Sequence, residues 1–177
     1  MTDIGLWAIA ATDPGRTAVI DPGGAAVSYA GLAARADRYG RGLQALGLRP
    51  GDCVAGMLPN STEALALFFA AIQTGLYVVP VNWHLTAAEV AYILADSEAR
   101  AFVAHERFGQ VAAEAAEAAA GARIDPGARF AVGTVPGFVP LDTLGAGATG
   151  APVLVPRARR WSTPRARPAG PRASAAR

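Results

Sequence analysis

The sequence contains no lysine, so all sixteen of its basic side chains are arginines. It has a single cysteine, which excludes an internal disulfide and fits a reducing compartment. No apolar run reaches the roughly 18 to 20 residues that span a bilayer. The start, Met1-Thr2-Asp3, is acidic and lacks the basic flank of a secretory signal. These absences predict a soluble, cytoplasmic protein without a membrane span.

Charge divides the chain into two unlike parts. Residues 1–150 carry 9 Arg against 14 Asp plus Glu, a net of −5, whereas residues 151–177 carry 7 Arg, five Pro and no acid, a net of +7. Such asymmetry is typical of a basic tail that binds nucleic acid or anionic lipid. Evolved basic arms usually contain lysine, however, so we expect no nucleic-acid partner. We predict a folded body over residues 1–143 and a Gly/Ala linker with a disordered Arg/Pro-rich tail over 144–177.

Helical and strand patterns alternate along residues 1–140. Helices are predicted from Ile4 to about Ala10 and over residues 28–46, 61–74, 86–94 and 108–120. Strands are predicted over residues 17–20, 53–58, 77–81, 101–104 and 130–132. Residues 53–58 are apolar on both faces, which favours a central parallel strand, and residues 77–81 favour another buried strand. The alternation predicts an α/β fold with a largely parallel sheet and flanking helices, and the pattern stops beyond Leu144.

Local signals support the helix boundaries. Ser28 is a good N-cap, and Gly47 suits the left-handed position that follows a helix. Gly75 ends the next helix. Thr86 and Glu89 have the spacing of a capping box, in which each side chain satisfies the other residue's free backbone N–H.

The tail has a second reading. When the frame is shifted by one base, so that each new codon takes the last base of one codon and the first two bases of the next, residues 161–174 can spell V-Y-T-S-G-T-T-G-R-P-K-G-V. This string resembles the phosphate-binding loop of the AMP-forming acyl-CoA synthetases, T-S-G-T-T-G-x-P-K-G. The match predicts a one-base frame disruption between about Leu141 and Trp161.

Three stretches of the body resemble the N-terminal part of the same adenylate-forming family, in the same order. Residues 27–33 (VSYAGLA) are similar to the motif T/S-Y-x-E-L, with Gly31 where the family usually has Glu. Residues 47–55 (GLRPGDCVA) are similar to G-v-x-x-G-D-r-V-a and lead into LPNS at 58–61. Residues 75–86 (GLYVVPVNWHLT) are similar to G-a-v-x-v-P-l-N-x-r-l, with His84 where Arg is more usual.

This resemblance implies a two-step ligase. A carboxylic acid, by subfamily resemblance a fatty acid, reacts with ATP and Mg²⁺ to give an acyl-adenylate and pyrophosphate, and CoA then displaces AMP. The chain as read lacks the phosphate loop and the later family elements. We therefore expect it to be inactive alone and to bind none of these cofactors, and we assign no catalytic, cofactor-binding or metal residue. The alternative is a non-catalytic interaction fragment whose Arg-rich tail binds an anionic partner.

Several residues carry a functional and a structural interpretation. His84 and His105 are acid–base candidates by type, but strand-end or loop positions are the simpler interpretation. Cys53 fits core packing better than a reactive thiolate. The segment Asn82-Trp83-His84 follows a predicted parallel strand, where open α/β sheets place ligands, although a turn held by Asn82 explains it too. Glu114 and Glu117 are interpreted as part of a solvated helix face.

Overall fold

The structure, a computed structural model, describes residues 5–119, 124–149 and 152. The helices are α1 (Leu6–Thr12), α2 (Tyr29–Ala45), α3 (Thr62–Thr74), α4 (Ala87–Asp96) and α5 (Gly109–Ala118). The strands are β1 (Thr17–Ile20), β2 (Ala26–Ser28), β3 (Cys53–Met57), β4 (Tyr77–Pro80), β5 (Ala99–His105), β6 (Arg129–Val132) and β7 (Val139–Pro140). Single turns of 3-10 helix lie at Glu106–Phe108, Pro126–Ala128 and Leu141–Thr143. The predictions for Ile4, for Ala120 and for the tail from residue 153 onward lie outside the described residues.

Five strands form one parallel sheet in the order β4-β3-β5-β6-β7. The first two strands form a separate antiparallel hairpin, whose turn is closed by the Gly24 N–H donating to the Asp21 carbonyl at 2.7 Å. The α/β fold with a largely parallel sheet is thus confirmed. The short strand β7 was not predicted, since two residues carry no readable periodicity.

Strands β3 and β4 are both apolar in sequence, but β3 lies inside the sheet and β4 lies at its edge. Strand β3 pairs with β4 on one side and β5 on the other, which confirms the prediction of a central strand. Strand β4 lies at the edge of the sheet, and Tyr77 at its start is 38% exposed, so the prediction of a buried strand was wrong. The reason is topological: the chain turns back after β4 and adds β5 on the far side of β3.

Helices cover both faces of the sheet. The connections β3–α3–β4 and β4–α4–β5 run in opposite directions, so right-handed crossovers place α3 and α4 on opposite faces. Helix α2 packs on α1 and α3, and α4 packs on α5. Between these layers lie side chains that are at most 1% exposed, among them Val54, Met57, Leu67, Leu94 and Phe102. Within the described residues, no helix is both long enough and apolar enough to cross a membrane.

The predicted helix caps are present. The Gly31 N–H donates to the Ser28 hydroxyl oxygen at 3.1 Å. In the capping box, the Thr86 N–H and hydroxyl both donate to the Glu89 carboxylate at 2.8 Å, and the Glu89 N–H donates back to the hydroxyl oxygen at 3.4 Å. Gly75 ends α3 as predicted and does so in the left-handed conformation, with φ of 75°. The local signals therefore set the helix ends.

Residues 144–149, here called the strap, continue past the predicted end of the body at residue 143. Leu144 is 2% exposed and belongs to the core, where it lies against Gly42 of α2. Just before the strap, Nη1 of Arg38 donates to the Asp142 carbonyl at 3.1 Å. The first residues of the predicted linker thus pack on α2, and the boundary at 143 stays a prediction.

Candidate functional site

The strand order brings several loops together at one edge of the sheet. The chain leaves β3 toward β4 and then returns to the opposite side of β3 in β5, so the strand order reverses at β3. Open α/β sheets bind ligands outside the carboxyl ends of their strands at such a reversal. The segments that follow the strands there are residues 58–61, 82–84, 106–108 and 133–134.

The loop after β4 is a turn held by its own side chain. The Asn82 side-chain oxygen accepts the His84 N–H at 3.1 Å, which confirms the turn interpretation of this segment. Trp83 is 41% exposed, and its ring stacks on Phe108 with centroids 5.6 Å apart and planes 10° apart. The stack joins the loops after β4 and β5, a contact between distant residues that no local sequence signal indicates.

The two histidines occupy structural positions. His84 is exposed, and its ring lies 5.5 Å from that of Trp83. Nδ1 of His105 accepts the Arg107 N–H at 3.1 Å and so caps the short 3-10 helix after β5. In the described part of the chain, neither imidazole hydrogen-bonds a serine, cysteine or carboxylate side chain. The interpretation as strand-end or loop histidines therefore agrees with the contacts.

Glu106 ties the loops after β5 and β6 together. Its carboxylate oxygen Oε2 accepts the Thr134 N–H at 3.1 Å. Gly133 has φ of +79°, and a Cβ atom built there would lie 2.1 Å from the same oxygen. The carboxylate thus fills the space beside Gly133 and places a negative charge at this backbone turn.

A cavity of about 420 Å³ opens between the α2–α3 layer and the ends of β6 and β7. Nη1 of Arg35 lies 2.6 Å from Oε1 of Glu63 across it. Burial raises the pKa of Tyr39, a rise that Glu63 increases and that Arg35 and Arg38 oppose. The volume suits a small polar molecule. Its lining holds an ion pair and a neutral phenol, with no nucleophile beside a base.

The remaining sequence candidates lie away from this edge. Cys53 begins β3, at the amino end of the sheet, and burial raises the pKa of its thiol, with further increases from Asp52 and Glu98. This disfavours the thiolate and agrees with a packing role. On α5, Glu114 accepts a hydrogen bond from Gln110 at 3.1 Å, and Glu117 is 75% exposed while it pairs with Arg129.

The turn at Gly133 offers no open cradle for a phosphate group in the described residues. The chain has no lysine, and Gly133 faces a carboxylate rather than open space. Over residues 5–119 and 124–149, no three His, Cys, Asp or Glu side chains converge as metal ligands would. The segment that carries the phosphate-loop reading, residues 161–174, lies outside the described residues.

Comparison with known proteins gives consistent sequence matches. Feruloyl-CoA synthase of an Amycolatopsis species is 41% identical over 102 residues, 56% of this chain and 21% of that protein. A long-chain-fatty-acid–CoA ligase of Mycobacterium tuberculosis is 42% identical over 77 residues, 44% of this chain and 15% of that protein. The chain thus spans about a fifth or less of the length of the curated relatives that it matches.

The fold gives the same assignment. A benzoate CoA ligase from Burkholderia xenovorans superposes with a TM-score of 0.72 and 28% identity, over 84% of this chain and 29% of that one. The family model described as AMP-binding enzyme matches residues 6–142, which is more than half of the chain and includes every strand of the sheet. The chain therefore belongs to the AMP-binding enzyme family.

Proposed function

We propose that the gene encodes an AMP-forming acyl-CoA synthetase and that residues 1–143 are the N-terminal part of its AMP-binding domain. In the whole enzyme, a carboxylate oxygen of the acid attacks the α-phosphorus of ATP, and pyrophosphate leaves with its Mg²⁺. The thiol of CoA then attacks the acyl carbon and AMP leaves. The proposed acid is a fatty acid and the proposed location is the cytoplasm. Support comes from the ordered motifs and from the Mycobacterium tuberculosis relative, a ligase of long-chain fatty acids.

The shifted reading of residues 161–174 is the observation that carries this proposal. Thirteen consecutive codons are compatible with V-Y-T-S-G-T-T-G-R-P-K-G-V, a glycine- and threonine-rich loop with a lysine, downstream of the body that matches the family. Such loops bind phosphate because glycine lets backbone N–H groups approach closely and lysine adds a cation. As translated, the same bases encode Arg and Pro, so we propose that the 177-residue chain does not adenylate an acid.

Resequencing the gene from codon 135 onward tests the frame, and expressing both products tests the activity. The frame-restored protein carries a one-base change between the codons of Leu141 and Trp161. It is expected to catalyse carboxylate-dependent ATP–pyrophosphate exchange, whereas the 177-residue chain shows none. Exchange by the pure 177-residue chain would contradict its proposed inactivity. Exchange with ferulate or benzoate but with no fatty acid would overturn the proposed acid.

One observation favours a second function, an interaction fragment with an anionic partner. The segment 151–177 has a net charge of +7, and arginine matches phosphate and carboxylate geometry. This function predicts that the 177-residue chain is monodisperse, unfolds cooperatively and binds a polyanion with a steep salt dependence. Aggregation of the isolated chain, or binding that is unaffected by deleting residues 153–177, contradicts it.

A further inference from the structure

The strap carries one large apolar residue, and the fold buries it. Residues 144–152 read LGAGATGAP, in which Leu144 is the only large hydrophobic side chain. Leu144 is 2% exposed and belongs to the core. The strap is also held in a turn, since the Ala146 N–H donates to the Thr143 carbonyl at 3.0 Å. A segment read in the wrong frame has no selected relation to the fold, whereas this segment places its single core-forming residue in the core.

Two glycines fit the strap to α2, one on each side of the contact. Gly145 in the strap has φ of +73°, and a Cβ atom built there would overlap the Arg38 carbonyl oxygen. Gly42 on α2 leaves the space that Leu144 fills. Glycine tolerates both the left-handed conformation and so close an approach of two backbones. Because α2 lies in the body that the family model matches, the strap is complementary to a helix that is read in frame.

The fit continues to residue 152. Pro152 is buried, and a Cβ atom built on Gly40 of α2 would lie 3.4 Å from the Cβ atom of this proline. All seven arginines of the segment 151–177 lie at residue 157 or beyond it. The Arg-rich composition that sets the tail apart from the body therefore starts after Pro152. Packing and composition both group residues 144–152 with the body.

The shifted reading extends upstream of Trp161. The last base of the Arg160 codon and the first two bases of the tryptophan codon TGG form a codon that ends in TG, which encodes Leu, Met or Val. The two junctions before it, Ala158–Arg159 and Arg159–Arg160, both admit alanine. The shifted frame therefore admits an apolar run before T-S-G-T-T-G, with the length and composition of a buried strand. A strand that leads into a glycine-rich loop is the arrangement of a phosphate-binding loop, so the shifted frame applies by codon 160.

We propose that residues 144–152 belong to the native AMP-binding domain and that the frame disruption lies between codons 153 and 160. This inference rests on the proposed function. It narrows the interval between Leu141 and Trp161 from both ends, upstream by the packing of the strap and downstream by the shifted reading. It also makes the strap a folded part of the synthetase rather than a linker. The contact of Leu144 with α2 then anchors the chain shortly before the phosphate loop.

Two restored proteins test this assignment. In the early-restored protein, one base is inserted at codon 143, so that residues 144–152 are replaced by their shifted reading. In the late-restored protein, the base is inserted at codon 156, so that residues 144–152 are kept. The late-restored protein is expected to have the higher urea midpoint and the larger soluble yield. The reason is that the early-restored protein loses the leucine that fills the space beside Gly42, which leaves a cavity there.

Point variants of the late-restored protein isolate the buried leucine. Leu144→Ala is expected to lower the urea midpoint, and Leu144→Met, which nearly conserves the volume, is expected to recover most of the loss. The matched control is Leu46→Ala at the C-cap of α2, because Leu46 is 38% exposed and its truncation leaves little cavity. A loss at position 144 that is no larger than the loss at position 46 would show that Leu144 is not part of the native core.

The outcomes separate this inference from the proposed function. A late-restored protein that is more stable than the early-restored one, with no carboxylate-dependent exchange in either, supports the native strap and counts against the synthetase. Exchange by both proteins at equal stability keeps the synthetase and sinks the native strap. A base recovered by resequencing within codons 153–160 supports the inference, and one recovered between codons 141 and 152 overturns it.

Discussion

Leu144 occupies the space that a side chain on Gly42 would need. A Cβ atom built on Gly42 would lie 2.5 Å from Cδ1 of Leu144 and 2.6 Å from the backbone nitrogen of Gly145. Glycine at this position, in the last turn of α2, is therefore required for the strap to lie against this helix. The contact also explains how a segment rich in Gly and Ala, which resembles a linker in sequence, contributes a buried leucine to the core.

Gly42→Ala is expected to destabilise the chain by about 1 to 3 kcal/mol, because overpacking costs more than the better helix propensity of alanine returns. The control is Gly31→Ala, also in α2, where the nearest atoms to a new Cβ are at 3.4 and 3.5 Å. That change is expected to be neutral or stabilising by up to about 1 kcal/mol. Urea unfolding of the 177-residue chain measures both. Equal stability of the two variants would show that the strap does not pack on α2.

Gly133→Ala is expected to cost more stability than Gly137→Ala, although both glycines have positive φ values, +79° and +76°. Each change introduces left-handed strain of about 1 to 2 kcal/mol. Only the first also displaces the Glu106 carboxylate, since nothing lies within 4 Å of a Cβ on Gly137. We expect an additional cost of about 1 kcal/mol at position 133, the usual size of a lost hydrogen bond.

A double-mutant cycle isolates that additional cost. In a Glu106→Ala background the clash is absent, so Gly133→Ala should then cost the same as Gly137→Ala. Unfolding free energies of the four proteins in the cycle, together with that of Gly137→Ala, provide the comparison. A cost at position 133 that is unchanged by removing Glu106 would contradict the tie between the loops after β5 and β6.

Features with local causes were predictable from the sequence, and those with distant causes were not. Ser28, Gly75 and the Thr86–Glu89 pair act within one helical turn, and their residue types reveal that action directly. The edge position of β4 depends on where β5 is added, which no residue of β4 encodes. The apolar run at residues 77–81 therefore predicted correctly that this segment is a strand, but it predicted wrongly that the strand is buried.

The features of the candidate site divide in the same way into those with local causes and those with distant causes. Asn82 favours a turn by its own side chain, and the position of this loop after a strand predicts that it lies at the carboxyl edge. The stacking of Trp83 on Phe108 and the filling of the space beside Gly133 by Glu106 join residues 25 and 27 positions apart. Neither contact has a local signature, so the sequence located this edge of the sheet but not its side-chain contacts.

Gly31→Glu is expected to stabilise the chain by about 1 kcal/mol, because it replaces glycine in a helix and completes a capping box. Gly31 is the third helical residue after the N-cap Ser28, and its N–H already donates to the Ser28 hydroxyl oxygen. A glutamate there places a carboxylate acceptor three residues after the N-cap, where a capping box has it. Gly31→Gln keeps an acceptor at this position and Gly31→Ala does not, so stability should rise in the order Ala, Gln, Glu. A glutamate variant that is no more stable than the alanine variant would contradict the box.

The capping box of α4 is expected to make stability depend on pH in the acidic range. The N–H and hydroxyl of Thr86 donate to the Glu89 carboxylate and lower the pKa of that carboxyl below its ordinary value. Because the unfolded-state pKa is about 4.3, the stabilisation is fully present above that value and is lost as the pH falls through the lower folded-state pKa.

Glu89→Gln should therefore lower the free energy of unfolding at pH 7, and the difference from the parent chain should shrink on acidification. Glutamine retains an acceptor for the cap, so the comparison isolates the charge. Urea unfolding of both proteins across the carboxylate titration range measures the effect. Thr86→Ser keeps both donors and should preserve the pH dependence. A difference between the parent chain and Glu89→Gln that stays constant with pH would show that the carboxylate is not stabilised by its bonds to Thr86.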